Sequence, residues 1–247
     1  MQFGKRTDAA EGARIVGSAR DAGINFIDTA VSYAEGRGET MVGDLLASDR
    51  DWWVIATKVG SQSGDGPNED GTNRRQIQMS IERSLRRLRT DRIDLYYLHQ
   101  DDATTPLYES LFSVGELVRA GKVLYVGLSN FRGWRLAEAV GICRELGIPT
   151  PIALQPYYHA LNRQPEVELL PAATPGITGL QLVDVATGGC GHTSGSRAHL
   201  AGAGRSASAP DGARAGRPGR DARPPGALVP GVGRRGKRGQ RVRPARG

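Results

Sequence analysis

Short apolar segments alternate with longer amphipathic segments along the first two thirds of the chain. The apolar segments are rich in β-branched and aromatic residues, and nearly all of their positions are apolar. Runs of this kind are typical of parallel strands that are covered on both faces. We therefore predict five strands, over residues 24–30, 53–59, 93–99, 123–130 and 152–158.

The segments between these strands have the spacing and the end signals of helices. Asp8 and Glu11 fit a capping box at the start of the first helix, and Asn73 fits the N-cap of the second. Gly23 and Gly147 fit helix stops, because glycine readily adopts the left-handed conformation that closes many helices. Four helices are predicted in this way, over residues 8–22, 73–88, 107–119 and 134–146.

The alternation of strands and helices predicts a parallel sheet, for which two architectures compete. An open doubly wound sheet usually carries a Gly-x-Gly-x-x-Gly loop after its first strand, and no such loop follows any predicted strand here. In a (β/α)8 barrel the functional side chains lie at the carboxyl ends of the strands. Polar residues close all five apolar runs, namely Asp28, Lys58, His99, Ser129 with Asn130, and Gln155. This pattern favours an α/β fold of the (β/α)8 TIM-barrel type.

The composition changes abruptly near residue 174. All 14 aromatic residues lie in residues 1–173, whereas 47 of the 74 residues in 174–247 are Gly, Arg, Ala or Pro. A segment of that composition cannot bury enough apolar surface to offset the entropy lost on folding. We therefore predict a folded domain over residues 1–173 and a low-complexity, disordered basic tail over residues 174–247.

The positive charge is confined to this tail. The whole chain has a net charge of +7, yet residues 1–173 hold 20 Lys and Arg against 23 Asp and Glu. The tail holds 13 Lys and Arg against 3 Asp. The high overall charge therefore does not make the folded part a nucleic-acid binder, and we expect no specific nucleic-acid partner. The competing interpretation is a native Arg/Gly-rich tail that binds RNA weakly and with a strong salt dependence.

Three classes of protein are disfavoured by simple signals. The two cysteines, Cys143 and Cys190, lack the spacing of metal ligands, so neither a disulfide framework nor a metal site is predicted. The first residues are polar, unlike a secretory signal. No apolar run approaches the roughly 20 residues that span a bilayer. We expect a cytoplasmic protein without a membrane partner.

Four of the polar residues could together reduce a carbonyl group. Each alone is more often structural, but parallel strands bring their carboxyl ends to one edge of the sheet. Lys58 would lower the pKa of the Tyr33 hydroxyl, which has a reference value of about 10. Tyr33 could then donate a proton to a carbonyl oxygen, while His99 orients that oxygen and Asp28 holds Lys58. The reaction still lacks a hydride source, which implies a nicotinamide cofactor.

Five stretches of the chain resemble the aldo-keto reductase family. They are residues 23–39 (GINFIDTAVSYAEGRGE), 56–60 (ATKVG), 93–102 (IDLYYLHQDD), 121–131 (GKVLYVGLSNF) and 154–163 (LQPYYHALNR). The resemblance covers about residues 2–172 and is strongest to the bacterial, potassium-channel-β-like branch. It implies a (β/α)8 barrel and the NADPH-dependent reduction of an aldehyde or ketone to an alcohol.

The resemblance also implies a role for each candidate site residue. Four residues match the catalytic tetrad of the family, in which the tyrosine is the proton donor: Asp28, Tyr33, Lys58 and His99. Three match the residues that hydrogen-bond the nicotinamide carboxamide: Ser129, Asn130 and Gln155. We expect an oxidoreductase that acts on a small carbonyl substrate. The alternative is a non-catalytic cofactor-sensing or interaction protein on the same scaffold.

The resemblance ends at about residue 173. The seventh and eighth strands of the family, which stack on the nicotinamide and hold the adenosine phosphates, have no counterpart in the tail. We therefore expect a truncated barrel with about six of the eight strands, weak or absent activity, and possible self-association through unpaired strand edges.

An out-of-frame translation would explain this tail. Gly, Ala, Arg and Pro are the residues whose codons can consist of G and C alone, so a frame slip in GC-rich DNA would enrich all four. Translating the other two frames beyond residue 173 tests the hypothesis. It is wrong if neither frame restores a seventh strand and a phosphate-binding loop.

Overall fold

Six parallel strands form a single sheet. The computed structural model describes residues 3–66 and 68–173, together with the backbone of Gly179–Leu180. The strands are β1 (Phe26–Asp28), β2 (Val54–Val59), β3 (Ile93–Leu98), β4 (Val123–Ser129), β5 (Ala153–Gln155) and β6 (Gly179–Leu180). The five strands predicted from the apolar runs are present as β1 to β5. The short β6 pairs with β5 and lies just beyond the predicted domain boundary.

Six α-helices lie in the described residues. They are α1 (Ala9–Asp21), α2 (Arg37–Leu46), α3 (Arg74–Leu88), α4 (Leu107–Arg119), α5 (Gly133–Leu146) and α6 (Leu169–Ala172). The predicted caps are confirmed, because the Asp8 side chain accepts a hydrogen bond from the Glu11 N–H and the Asn73 side chain accepts one from the Gln76 N–H. Gly147 closes α5 with a φ of 63°. Helix α2 was not predicted; it is short and contains two glycines, which disfavour helix formation.

The order of the strands identifies the architecture. The sheet runs from β1 to β6 in chain order, and all pairs are parallel. An open doubly wound sheet reverses its strand order at the ligand-binding crevice, whereas a (β/α)8 barrel keeps the sequential order. The predicted α/β fold of incomplete TIM-barrel type is therefore confirmed. The predicted tail, residues 174–247, lies outside the described residues apart from β6, so the domain boundary stays a prediction.

The two faces of the sheet pack differently. One face packs on the helices in a large apolar core that includes Ile55, Val126, Ile77, Leu111 and Leu136. The other face carries a small cluster built from strand residues, namely Ala56, Leu95, Tyr97 and Ala153. We call this second face the inner face, because it corresponds to the interior of a barrel.

Alternation along the strands places the candidate site on the inner face. Side chains on a strand point to opposite faces in turn, so residues two positions apart share a face. Lys58 therefore shares the inner face with Ala56, and Gln155 shares it with Ala153. Within the described residues, no helix combines the length and the apolar character needed to cross a bilayer.

Candidate active site

Lys58 lies near the carboxyl end of β2, and its side chain is fully buried. Its Nζ donates hydrogen bonds to Asp28 Oδ2 at 2.6 Å, to the Thr29 carbonyl oxygen at 2.7 Å and to Tyr33 Oη at 3.3 Å. An ammonium group has three donors, so these contacts use all of its hydrogens. Burial lowers the pKa of Lys58, but the Asp28 carboxylate and the Tyr33 hydroxyl outweigh it and raise the pKa above its ordinary value. Lys58 is therefore a fixed cation at neutral pH.

Tyr33 lies in the loop that follows β1, before an unusual turn. The next three residues adopt left-handed conformations, with φ angles of 51° at Ala34, 58° at Glu35 and 85° at Gly36. The Tyr33 ring meets the His99 ring edge to face, with 5.9 Å between the ring centroids. Lys58 Nζ also lies 4.8 Å from the centroid of the Tyr33 ring. The turn thus places a phenol between a buried cation and an imidazole.

His99 follows the last residue of β3, and its backbone N–H donates to the Val59 carbonyl oxygen at 2.8 Å. Burial, with a smaller contribution from the positive charge of Lys58, lowers the pKa of His99 from 6.5 to about 3. The imidazole is therefore neutral at physiological pH, and it can donate or accept a hydrogen bond but carries no charge. Its Nδ1 is buried and has no hydrogen-bond partner within the described residues.

The remaining predicted residues form a hydrogen-bonded group at the carboxyl ends of β4 and β5. The Ser129 hydroxyl donates to the Gln155 carbonyl oxygen at 2.8 Å. The Asn130 amide donates to the His99 carbonyl oxygen and to Ser129 Oγ, both at 3.1 Å. The Gln155 amide reaches Asp28 Oδ2 at 3.4 Å. All seven predicted residues are thus brought together at one end of the sheet.

Three further features of this site were not predicted from the sequence. The carbonyl of Thr29 supplies the third acceptor of Lys58. Tyr97 is buried on the inner face and is paired in register with Lys58 on one side and Gly127 on the other. A Cβ atom at Gly127 would lie 2.3 Å from the Tyr97 ring, so only glycine leaves room for it. The sequence signal that could have identified Tyr97 is its position two residues before His99, which places both residues on the same face of the sheet.

The chain belongs to the aldo/keto reductase family. The model of that family, described as "Aldo/keto reductase family", matches residues 1–210. This match extends beyond the stretch over which individual motifs could be recognised.

Within the part of the chain that the structure describes, no group of three or more His, Cys, Asp and Glu side chains is arranged to hold a metal ion.

Individual relatives match about 70% of the chain. The chain is 37% identical over 174 residues to aflatoxin B1 aldehyde reductase member 2 of Rattus norvegicus. This match covers 69% of this chain and 46% of that protein. It is 35% identical over 176 residues to a probable voltage-gated potassium channel subunit beta of Oryza sativa subsp. japonica, covering 69% of this chain and 53% of the relative. It is 39% identical over 184 residues to the uncharacterized oxidoreductase YrpG of Bacillus subtilis (strain 168), and this match covers 70% of this chain and 56% of that protein.

The chain thus spans about half the length of the curated relatives it matches. A potassium-channel β subunit is among them, in line with the branch predicted from the motifs. The bacterial origin of this chain stays a prediction.

Proposed function

We propose that the chain reduces an aldehyde or ketone to an alcohol with NADPH as cofactor and Tyr33 as the proton donor. The observation that carries the proposal is the contact between the buried Lys58 and Tyr33. Lys58 Nζ is fixed by Asp28 and donates to Tyr33 Oη at 3.3 Å. Lys58 fills an acceptor position on the phenol oxygen, and a phenol hydroxyl can also act as a donor, in this proposal to the substrate oxygen.

The charges around Tyr33 favour proton donation. Negative charge develops on a carbonyl oxygen as it is reduced, and a proton from Tyr33 neutralises it. The phenolate that remains is stabilised by the Lys58 ammonium group. His99 is neutral at physiological pH because burial holds its pKa near 3, so it orients the substrate oxygen by a hydrogen bond instead of competing as the acid. Tyr33 and His99 thus have different roles in this proposal because their electrostatic environments differ.

The polar group at the ends of β4 and β5 fits a nicotinamide carboxamide. A carboxamide offers one acceptor oxygen and two N–H donors, which the hydroxyl of Ser129 and the amides of Asn130 and Gln155 can match. Asp28 Oδ1 and His99 Nδ1 are buried and lack partners within the described residues, so this corner contains polar atoms that a bound group could satisfy. When bound, the nicotinamide supplies the hydride. The choice of NADPH over NADH rests on the family resemblance.

A second candidate function is a cofactor-sensing or interaction protein without catalytic activity. The observation in its favour is the similarity to a protein named as a potassium channel subunit beta. The buried Lys58 beside Tyr33 favours the enzyme, because a scaffold has no need of a cation at a phenol oxygen. Both candidates share the same cofactor-binding residues, so they differ in chemistry alone.

Replacing Tyr33 with Phe separates the two candidates. We expect the full chain to oxidise NADPH in the presence of a simple aldehyde, measured as the loss of nicotinamide absorbance, and Tyr33→Phe to lower the rate by about 10²–10⁴-fold. The matched control is Tyr108→Phe, which removes a hydroxyl from an exposed tyrosine on α4. A wild-type rate no higher than that of Tyr33→Phe would contradict the enzyme and favour the second candidate.

We further propose a cytoplasmic location, on the ground of the family to which the chain belongs. The proposed binding partner is a small carbonyl substrate, which would bind at the inner face beside Tyr33. Self-association is proposed through β1, which has β2 as its one neighbouring strand within the described residues. No specific nucleic-acid partner is proposed.

A further inference from the structure

We propose that Glu39 is a positioning residue for Tyr33; this inference rests on the proposed function. Glu39 lies in the first turn of α2 and is fully buried. Its Oε1 accepts a hydrogen bond from Thr57 Oγ1 at 2.7 Å, and its Oε2 accepts one from the Arg87 guanidinium group at 3.2 Å. The carboxylate touches neither Lys58 nor His99 in any hydrogen bond, so it acts through the elements that it joins.

A carboxylate is an unexpected side chain at this place. Glu39 occupies the same stripe of α2 as Val42 and Leu46, which pack in the apolar core. A buried ion pair seldom stabilises a protein more than apolar residues of the same size, because removing the charges from water is costly. One use of such a pair is to fix a particular arrangement of the elements that carry it. The arrangement here is the one that surrounds Tyr33.

One oxygen of Glu39 supports the turn after Tyr33. Left-handed conformations at non-glycine residues such as Ala34 and Glu35 are unfavourable and persist only when the surroundings enforce them. The Arg87 guanidinium group, which Glu39 holds, packs so closely on Gly36 that a Cβ atom there would lie 2.2 Å from its central carbon. Arg87 therefore lies directly against the turn at Gly36, and Glu39 holds its guanidinium group there.

The other oxygen of Glu39 holds the strand that carries Lys58. Thr57 is the residue before Lys58 on β2, and its side chain points to the helix-facing side, where Glu39 accepts its hydrogen bond. A single carboxylate thus ties the turn next to Tyr33 to the strand of Lys58. The 3.3 Å contact between Lys58 Nζ and Tyr33 Oη depends on these two elements keeping their relative position. Misplacement of a reacting group by about 1 Å can cost about 10²-fold in rate.

The test compares two isosteric changes of buried carboxylates in the full chain. Glu39→Gln keeps an acceptor for Thr57 but removes the charge that holds Arg87. Asp94→Asn is the matched control, because Asp94 forms a buried pair with Arg50 at 2.6 Å near the amino end of β3, away from Tyr33. Both proteins are labelled with 3-fluorotyrosine, and the Tyr33 signal in the fluorine NMR spectrum is assigned as the one missing from Tyr33→Phe.

We expect the Tyr33 signal to shift or broaden in Glu39→Gln and to stay unchanged in Asp94→Asn. A second variant, Arg87→Lys, keeps the charge but loses the planar group over Gly36, and we expect it to change the Tyr33 signal as well. This variant decides the question if Glu39→Gln does not fold. An unchanged Tyr33 signal in the folded variants, or an equal change in Asp94→Asn, would overturn the positioning role.

The reaction rate supplies an independent readout. We expect Glu39→Gln to lower kcat by about 10–10²-fold with the KM for NADPH unchanged, since Ser129, Asn130 and Gln155 lie at the ends of other strands. In a Tyr33→Phe background the same change should cause no further loss, because both substitutions act on one group. An equal loss in both backgrounds would overturn the inference. A wild-type chain without reductase activity would refute the proposed function alone, and the fluorine spectrum would still decide the role of Glu39.

Discussion

His99 illustrates how one residue acquires its chemistry from its surroundings. The same imidazole in water would be partly charged near neutral pH, with a pKa of 6.5. At the end of β3 it is largely buried and faces a fixed ammonium group, and both effects disfavour a second positive charge. Lys58 keeps its charge in the same pocket because Asp28 pairs with it at 2.6 Å. One of the two basic side chains in the site, Lys58, is therefore charged, and the other, His99, is neutral.

This difference makes the stability of the fold depend on the protonation of His99. Between pH 6.5 and about 3 the unfolded chain binds a proton at this residue and the folded chain does not. The free energy of unfolding therefore carries a contribution that is complete above pH 6.5 and is lost as the pH falls towards 3. We expect the urea midpoint of His99→Gln to fall less than that of the wild type between pH 6.5 and about 4.

The control for this measurement is His159→Gln, which changes a histidine in the loop after β5 that contacts Tyr157. We expect it to follow the wild-type pH dependence. If His99→Gln and the wild type lose stability in parallel, the proton is not excluded from folded His99.

At the scale of elements, helix α2 owes its place to close backbone contact with the end of α3. Gly43 lies on the buried side of α2, and a Cβ atom there would lie 2.4 Å from the Arg87 carbonyl oxygen and 2.7 Å from the backbone of Leu88. Backbone atoms cannot move aside as the end of a side chain can. Gly141, within α5, has open space where its Cβ would be. Close packing of α2 on α3 therefore requires glycine at position 43, whereas no neighbour requires it at position 141.

Substitution by alanine should have opposite effects at these two positions. We expect Gly43→Ala to lower the free energy of unfolding by about 1–3 kcal/mol, because the added methyl group forces the helices apart. Gly141→Ala should raise it by about 0.5–1 kcal/mol, because alanine is the better helix former. Urea denaturation of both variants measures the difference. The same sign for both substitutions would mean that α2 and α3 are not in the contact described.

The elements that could be predicted from the sequence are those defined by local signals. Asp8, Asn73 and Gly147 mark helix ends through bonds or dihedral angles within a few residues of themselves. Helix α2 escaped prediction because one of its two glycines, Gly43, is explained only by its contact with the end of α3, which lies far away in the sequence. The left-handed turn after Tyr33 escaped for the same reason, since alanine and glutamate give no local sign of it.

The site residues could be predicted although helix α2 could not, because the sequence position of a residue at the end of a parallel strand shows where it lies in the sheet. A polar residue at the end of each apolar run must lie at the same edge of the sheet. What could not be predicted was the support behind the site. Glu39 bears on Tyr33 through Thr57 and Arg87, and these residues meet only after α2 and α3 have packed on β2.

At the scale of the molecule, the sheet leaves β1 as an edge within the described residues. Asn25 and Thr29 bond to β2 through their backbones. Alternate residues of a parallel strand serve the same neighbour, so the backbone groups of Phe26 and Asp28 face the other way. An edge of this kind can pair with another chain. Ile24, just before β1, adds an apolar side chain that is 54% exposed.

A charge beside this edge should weaken self-association. We expect the sedimentation coefficient of the wild type to rise with protein concentration and that of Ile24→Lys to rise less, because lysine at an edge strand opposes pairing between chains. Leu124→Lys is the matched control, since Leu124 is a 40% exposed aliphatic residue on β4, an interior strand. An equal effect of both changes would point to general apolar contact instead of strand pairing. A wild type that stays monomeric at every concentration would mean that β1 is not available to a second copy.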